Sequence, residues 1–150
     1  MKIALVSAAL AALATPIFAQ NEETHPYTKA NIAPVTFEYK DEAEDGCWTS
    51  ANEATDIAKR ALQGAGITYT DDPAAATTTL YLFVDASRDG GCYGNLLLDL
   101  RAPSTWAGQE VRVILRDSGA NFKGYDNLNA VIPAVMDHFV GKELGGFPAE

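Results

Sequence analysis

The chain has 150 residues, 47% of them hydrophobic, and sets 20 Asp and Glu against 11 Lys and Arg for a formal charge of −9. Such a balance repels phosphate backbones and anionic lipid, so it disfavours nucleic acid and membrane surfaces as partners. Two cysteines and two histidines leave few side chains for metal or nucleophilic chemistry.

Residues 1–19 read as an export signal. Lys2 supplies the positive end, an alanine-rich apolar run over 3–14 is too short to span a bilayer, and Thr15, Pro16 and the small Ala19 mark a cleavage site before Gln20. No cysteine follows that site, so a lipid anchor is not expected, and the mature protein is read as periplasmic or secreted and free in solution. Cleavage leaves about 130 residues, enough for one core. Loss of Lys2 takes the charge to about −10.

Residues 20–34 are polar and unpatterned and read as an extended N-terminal segment. The single α/β domain is expected over 35–146, with 147–150 as a C-terminal tail. Residues 35–40 alternate, placing Val35, Phe37 and Tyr39 on one face of a first strand that the acidic run 41–46 ends. Ser50 and Glu53 have capping-box spacing, and Ala54, Ile57, Ala58, Ala61 and Leu62 make the apolar stripe of a helix over 51–63, stopped by Gly64 and Gly66. Asp71, Asp72 and Pro73 form a turn.

A second strand follows over 78–86, with Leu80, Leu82 and Val84 on one side and Tyr81 and Phe83 on the other. Residues 87–91 read as a hairpin connection, and 93–101 as a third strand with Leu96, Leu98 and Leu100 inward. Residues 103–108 read as a loop carrying Trp106. A fourth strand over 110–116 directs Val111, Val113 and Leu115 inward. The Gly- and Asn-rich stretch 118–127 reads as another loop. Leu128, Val131, Ile132, Val135, Met136 and Phe139 then form the stripe of a last helix, with Pro133 in its first turn and Gly145 and Gly146 ending it.

The order β-α-β-β-β-α defines an α+β fold, a two-layer domain with a four-stranded mixed sheet and helices mainly on one face. The helix between the first two strands makes them parallel by a right-handed crossover, and the short turn after the second makes the next pair antiparallel. The expected helix-covered face holds Val35, Leu82, Leu98 and Val113. Cys47 leaves the first strand, and Cys92 follows the hairpin leaving the second. Parallel strands bring those ends to one edge, so the two thiols are expected to pair. A nucleophilic cysteine is disfavoured by the oxidising compartment.

That edge also gathers Asp45, Trp48, Arg88, Asp89 and Tyr93, a candidate binding edge, because ligands favour the carboxyl ends of parallel strands. A second candidate is the face away from the helices, where Tyr81, Phe83, Leu97 and Ile114 sit among Arg112 and Arg116. An apolar centre with a charged rim suits a partner surface, unless the lead-in or last helix covers it.

Residues 85–90 resemble the start of a calcium loop, but its twelfth position is Leu96 where a bidentate Glu is needed. A looser site would draw on Asp41, Asp45, Asp85 and Asp89. His25 lies in the lead-in and His138 on a solvated helix face. No nucleophile elbow, HExxH, CxxC or phosphate-binding loop occurs. No cofactor, metal or catalytic residue is assigned.

The element order is similar to that of small periplasmic accessory domains, such as those preceding periplasmic propellers or found in lipopolysaccharide-assembly lipoproteins. No residue role is carried over from that likeness. The sequence thus reads as an exported, disulfide-stapled binding or accessory module without catalysis, its partner another exported protein. The alternatives are an acidic inhibitor or immunity-type protein against a basic secreted enzyme, and a small hydrolase or weak metal-dependent enzyme at the disulfide edge.

Overall fold

The computed structural model describes residues 26–150, so the export signal read over 1–19 and His25 lie outside the described residues. Four strands form one sheet in the order β1 (Val35–Ala43), β2 (Thr78–Arg88), β3 (Cys92–Trp106), β4 (Gln109–Tyr125). β1 runs parallel to β2, while β2–β3 and β3–β4 are antiparallel. The helices α1 (Lys29–Ile32), α2 (Ala54–Gly64) and α3 (Val131–His138) lie on one side, as the element order predicts. No described helix is long and apolar enough to cross a membrane.

The core is built by period-2 and period-3.6 stripes meeting. Leu80, Leu82 and Val84 of β2 and Leu96, Leu98 and Leu100 of β3 are buried against Ile57, Ala58, Ala61 and Leu62 of α2 and Ile132 and Met136 of α3. Pro133 is the third residue of α3, where a missing N–H costs little. Beyond α3 the chain widens into a π turn, Phe139–Leu144, in which Gly145 N–H reaches the Val140 carbonyl and buries Phe139, Val140 and Leu144.

Local differences from the sequence reading have physical causes. β1 runs on through Asp41 and Glu42, because pairing with β2 continues to Ala43↔Ala86. Ser50 makes no side-chain cap. The Oδ1 of Asn129 accepts from the backbone N–H groups of Thr49 and Ser50 (3.0 and 3.3 Å), while Asn129 Nδ2 donates to Thr49 Oγ1. A cap from 80 residues away replaces the local one.

The segment read as extended contains α1, closed by reciprocal bonds between Thr28 and Asn31. The C-terminal residues meet it: Lys29 N–H donates to the Pro148 carbonyl at 2.8 Å, and Phe147 is buried against the Tyr27 ring.

The largest correction concerns β3 and β4. Residues 103–108 are not a loop but the end of a long hairpin closed by the two residues Ala107 and Gly108. Both have positive φ (51° and 79°), the geometry whose twist suits a tight hairpin. The stretch 118–125, read as loop, is strand paired to β3 residues 92–98. Val111, Val113 and Leu115 are not core residues. β2 pairs with β3 only as far as Thr79↔Arg101, so residues 102–113 project beyond the sheet as a two-stranded arm, and Val113 is 42% exposed. Leu115 alone touches the core, as the extra residue of a bulge between Leu100↔Arg116 and Arg101↔Ile114.

Candidate functional site

The disulfide edge forms as the topology requires. Cys47 and Cys92 are bonded, with Cα atoms 5.7 Å apart and both side chains buried. Arg88 at the end of β2 gathers the loops around it. Its Nε donates to the Asp45 carbonyl (3.1 Å), and its Nη2 donates to the carbonyls of Gly46 (3.5 Å) and Asp126 (3.0 Å). Trp48 is buried, edge-on to Tyr39 at 5.8 Å, and so belongs to the core rather than to a rim. Asp89 holds its own turn, donating from its N–H to the Gly91 carbonyl, and Tyr93 emerges on the opposite face of the sheet. The five residues grouped at this edge are therefore divided: Asp45 and Asp89 in the loops, Arg88 at the end of β2, Trp48 inside, Tyr93 outside.

The acidic residues considered for calcium separate as well. Asp41 shares the face of Val84 and its Oδ1 accepts from Ala43 N–H, whereas Asp85 is paired with Glu42 on the other face. Among the described residues no three of His, Cys, Asp and Glu converge as metal ligands.

The other sheet face is uncovered by any described element. The register lays its side chains in rows across the strands: Thr36, Thr79, Arg101, Ile114; then Glu38, Tyr81, Asp99, Asp117; then Lys40, Phe83, Leu97, Gly119. Both elements considered as covers lie elsewhere: the last helix is on the far layer, and the segment from Tyr27 is tied to the C-terminal residues. Tyr81, Phe83 and Leu97 are half-buried among their neighbours, and Ile114 is 54% exposed. Gly119 beside Leu97 leaves a depression of about 430 Å³ bordered by Phe83, Asn95, Leu97 and Asn121.

Charge on this face is arranged around the aromatics. The Arg101 guanidinium lies 3.7 Å from the Tyr81 ring centroid, and Lys40 lies 5.8 Å from that of Phe83. Glu42 hydrogen-bonds the Lys40 ammonium and raises its pKa above the ordinary lysine value. Arg101 donates to Asp99 Oδ2 from both Nε and Nη2. Asp99 is 0% exposed, and its Oδ1 has no partner among the described residues. A buried carboxylate oxygen without a donor is costly, and among the described residues Asp99 is the buried charged group on this face left half-satisfied.

The two arginines grouped with this surface are on opposite faces. Arg112 belongs to it, donating from Nη1 to Thr79 Oγ1 (2.8 Å) and pairing with Glu38 at 3.4 Å. Arg116, shifted by the Leu115 bulge, faces the helices and pairs with Glu143 of the π turn at 2.9 Å. A bulge leaves no mark in an alternating apolar pattern, so strict alternation could not separate them.

Sequence reading also missed a contact that joins α2 to the turn before β2. Tyr69 Oη donates to Asp71 Oδ1 (3.0 Å), and Lys59 sits 4.7 Å from the Tyr69 centroid while pairing with Asp71 at 3.2 Å. Burial, then the bond to Asp71, pushes the Tyr69 phenol up to about 12, and the bonds from Tyr69 and Lys59 hold Asp71 below its usual value.

Fold and surface thus define a two-layer α+β domain with a stapled edge and one open sheet face. No protein-family model, curated protein or solved structure matches the chain, so the likeness in element order stands without a counterpart there.

Proposed function

We propose that this chain is an exported, non-catalytic binding module that engages another exported protein through the open sheet face centred on Tyr81, Phe83 and Leu97. The observation that carries the reading is the combination on that face of half-buried aromatics with the unpartnered Oδ1 of buried Asp99. A partner supplying an N–H or O–H donor would satisfy that oxygen as apolar surface closes over Tyr81 and Phe83. The export pattern over 1–19 and the buried disulfide support an oxidising compartment. The disulfide edge takes a structural role in this reading, because Arg88 spends its donors on three backbone carbonyls of its own chain.

The opposed arginines supply the test. In crosslinked pull-downs from the exported fraction, Phe83→Asp and Arg112→Glu are expected to lose the partner, while Arg116→Glu, on the other face, retains it. Retention by both outer-face variants would overturn the reading. The formal charge of −9 supports one alternative, an acidic inhibitor of a basic secreted enzyme. Its complex would weaken steeply with salt, whereas sheet-face docking would be nearly insensitive to it.

A further inference from the structure

We infer that β4 is the seam of a symmetric dimer in which the β3–β4 arm of each chain lies in the partner's groove between β4 and α3. The arm, residues 102–113, is amphipathic. The register puts Trp106, Val111 and Val113 on its helix-side face and Pro103, Thr105, Glu110 and Arg112 on the other. Trp106 is 77% exposed and Val113 42%, and β2 stops pairing before this ribbon begins, so its helix-side face stays largely open. A two-stranded ribbon in water is marginal unless its apolar face is packed.

At the other end of the same strand, on the same face, lies an open groove of about 690 Å³ between Ser118 and Ala120 of β4 and Val131, Ala134 and Val135 of α3. Small side chains on both walls create the room. β4 ends the strand order, so over 17 residues without a proline its outer edge pairs with no described strand. A strand added along that edge would drop alternate side chains into the groove.

Arm and groove therefore occupy opposite ends of one free edge. An antiparallel β4–β4 pairing about a two-fold axis carries each arm to the other chain's groove, so that the surface is self-complementary. The area is sufficient. A fully covered aromatic side chain hides about 150–250 Å²; Trp106, 77% exposed, has most of that left to hide, and Tyr125, 46% exposed, about half of it. With Val111 and Val113, and with the groove walls that they cover, counted on both chains, they come to roughly the 1,000 Å² that a specific interface needs. The apolar contacts of this seam lie on the helix-side face, opposite to Tyr81, Phe83 and Leu97, so Phe83→Asp tests the sheet face without touching the seam.

The test is sedimentation equilibrium of the exported, oxidised chain at micromolar concentration. A dimer is expected. Because both copies are strongly acidic, added salt should tighten it, opposite to the behaviour of a basic partner. Val113→Lys on the arm and Ala134→Glu in the groove should each weaken the dimer by about 100-fold or more. Both positions are exposed, and far-UV circular dichroism with a free-thiol assay checks that each variant folds and keeps its disulfide. An equimolar mixture of the two variants should restore the dimer, since the Lys arm meets the Glu groove while the remaining arm and groove are unchanged. A monomeric parent overturns the inference, whether residues 20–25 of the same chain or an unlike protein fill the groove. So does a dimer indifferent to either substitution, or a mixture that stays monomeric.

Discussion

The half of the sheet made by β1, β2 and the inner end of β3 differs from the half made by the outer β3–β4 hairpin in how its apolar residues are used. In the first, Leu80, Leu82, Leu96, Leu98 and Leu100 are all buried, two helices close over them, and a disulfide and Arg88 gather the loops. In the second, Trp106, Val113 and Ile114 are exposed although pairing runs on past the Leu115 bulge to the turn. Backbone pairing alone does not mark a core; a strand is committed to the interior only where a second layer stands above it. The first half carries the stability of the domain, and the second carries surface that stability does not need.

This contrast would break if substitutions in the two halves cost alike. Replacing Cys47 and Cys92 together by Ala should have the largest effect, about 4 kcal/mol by the loop-closure argument for a sequence separation of 45, read as a lower denaturant midpoint. Leu98→Ala should cost about 3 kcal/mol by cavity formation in the same assay. A matched pair of glycines sharpens the contrast. A Cβ at Gly94 would run into the Asp85 carbonyl and Ala86 Cα of β2, so Gly94→Ala should cost about 2 kcal/mol. At Gly119 the nearest atoms are 3.5 Å away, and the same change should stay within about 0.5 kcal/mol. Trp106→Ser, measured at dilution where chains do not associate, should also fall within about 0.5 kcal/mol.

The smallest expected effect is the pH dependence of the Lys59–Tyr69–Asp71 contact. Tyr69 has its pKa raised in the fold, so its contribution is whole below the ordinary value of 10.0 and is lost as pH climbs through about 12. Asp71 has its pKa lowered, so its contribution is present above 3.8 and lost as pH falls further. Asp71→Asn should flatten the acid limb of the stability profile. It should also move tyrosinate absorbance at this site to lower pH; an unmoved titration would remove Asp71 from the account.

The sequence made the first half legible and much of the second illegible, for one reason. The stripe of α2, the alternation of β2 and the convergence of Cys47 with Cys92 are set by residues near one another or by strand direction. The length of β4 is set by its partner: Gly119 and Asn121 look like loop residues alone, yet β3 holds them in register through Leu97 and Asn95, and Gly124 is the extra residue at a shift between Lys123 and Tyr125. The Leu115 bulge and the Asn129 cap on Thr49 and Ser50 are also long-range events. At the candidate surface, Tyr81, Phe83, Leu97, Ile114 and Arg112 could be grouped by alternation. The burial of Asp99 beneath Arg101 could not, because it depends on the rows that pairing creates.

The Arg88 clamp has a consequence for how this chain can vary. Its three acceptors are main-chain oxygens of Asp45, Gly46 and Asp126, so no side-chain identity is written into the contact. Position 126 is free to drift, and 45 and 46 are held only by their left-handed backbone, which Asn, Asp and Gly all tolerate. Loops around the staple can therefore change charge and shape while the junction between them persists, and one arginine is the price of that freedom.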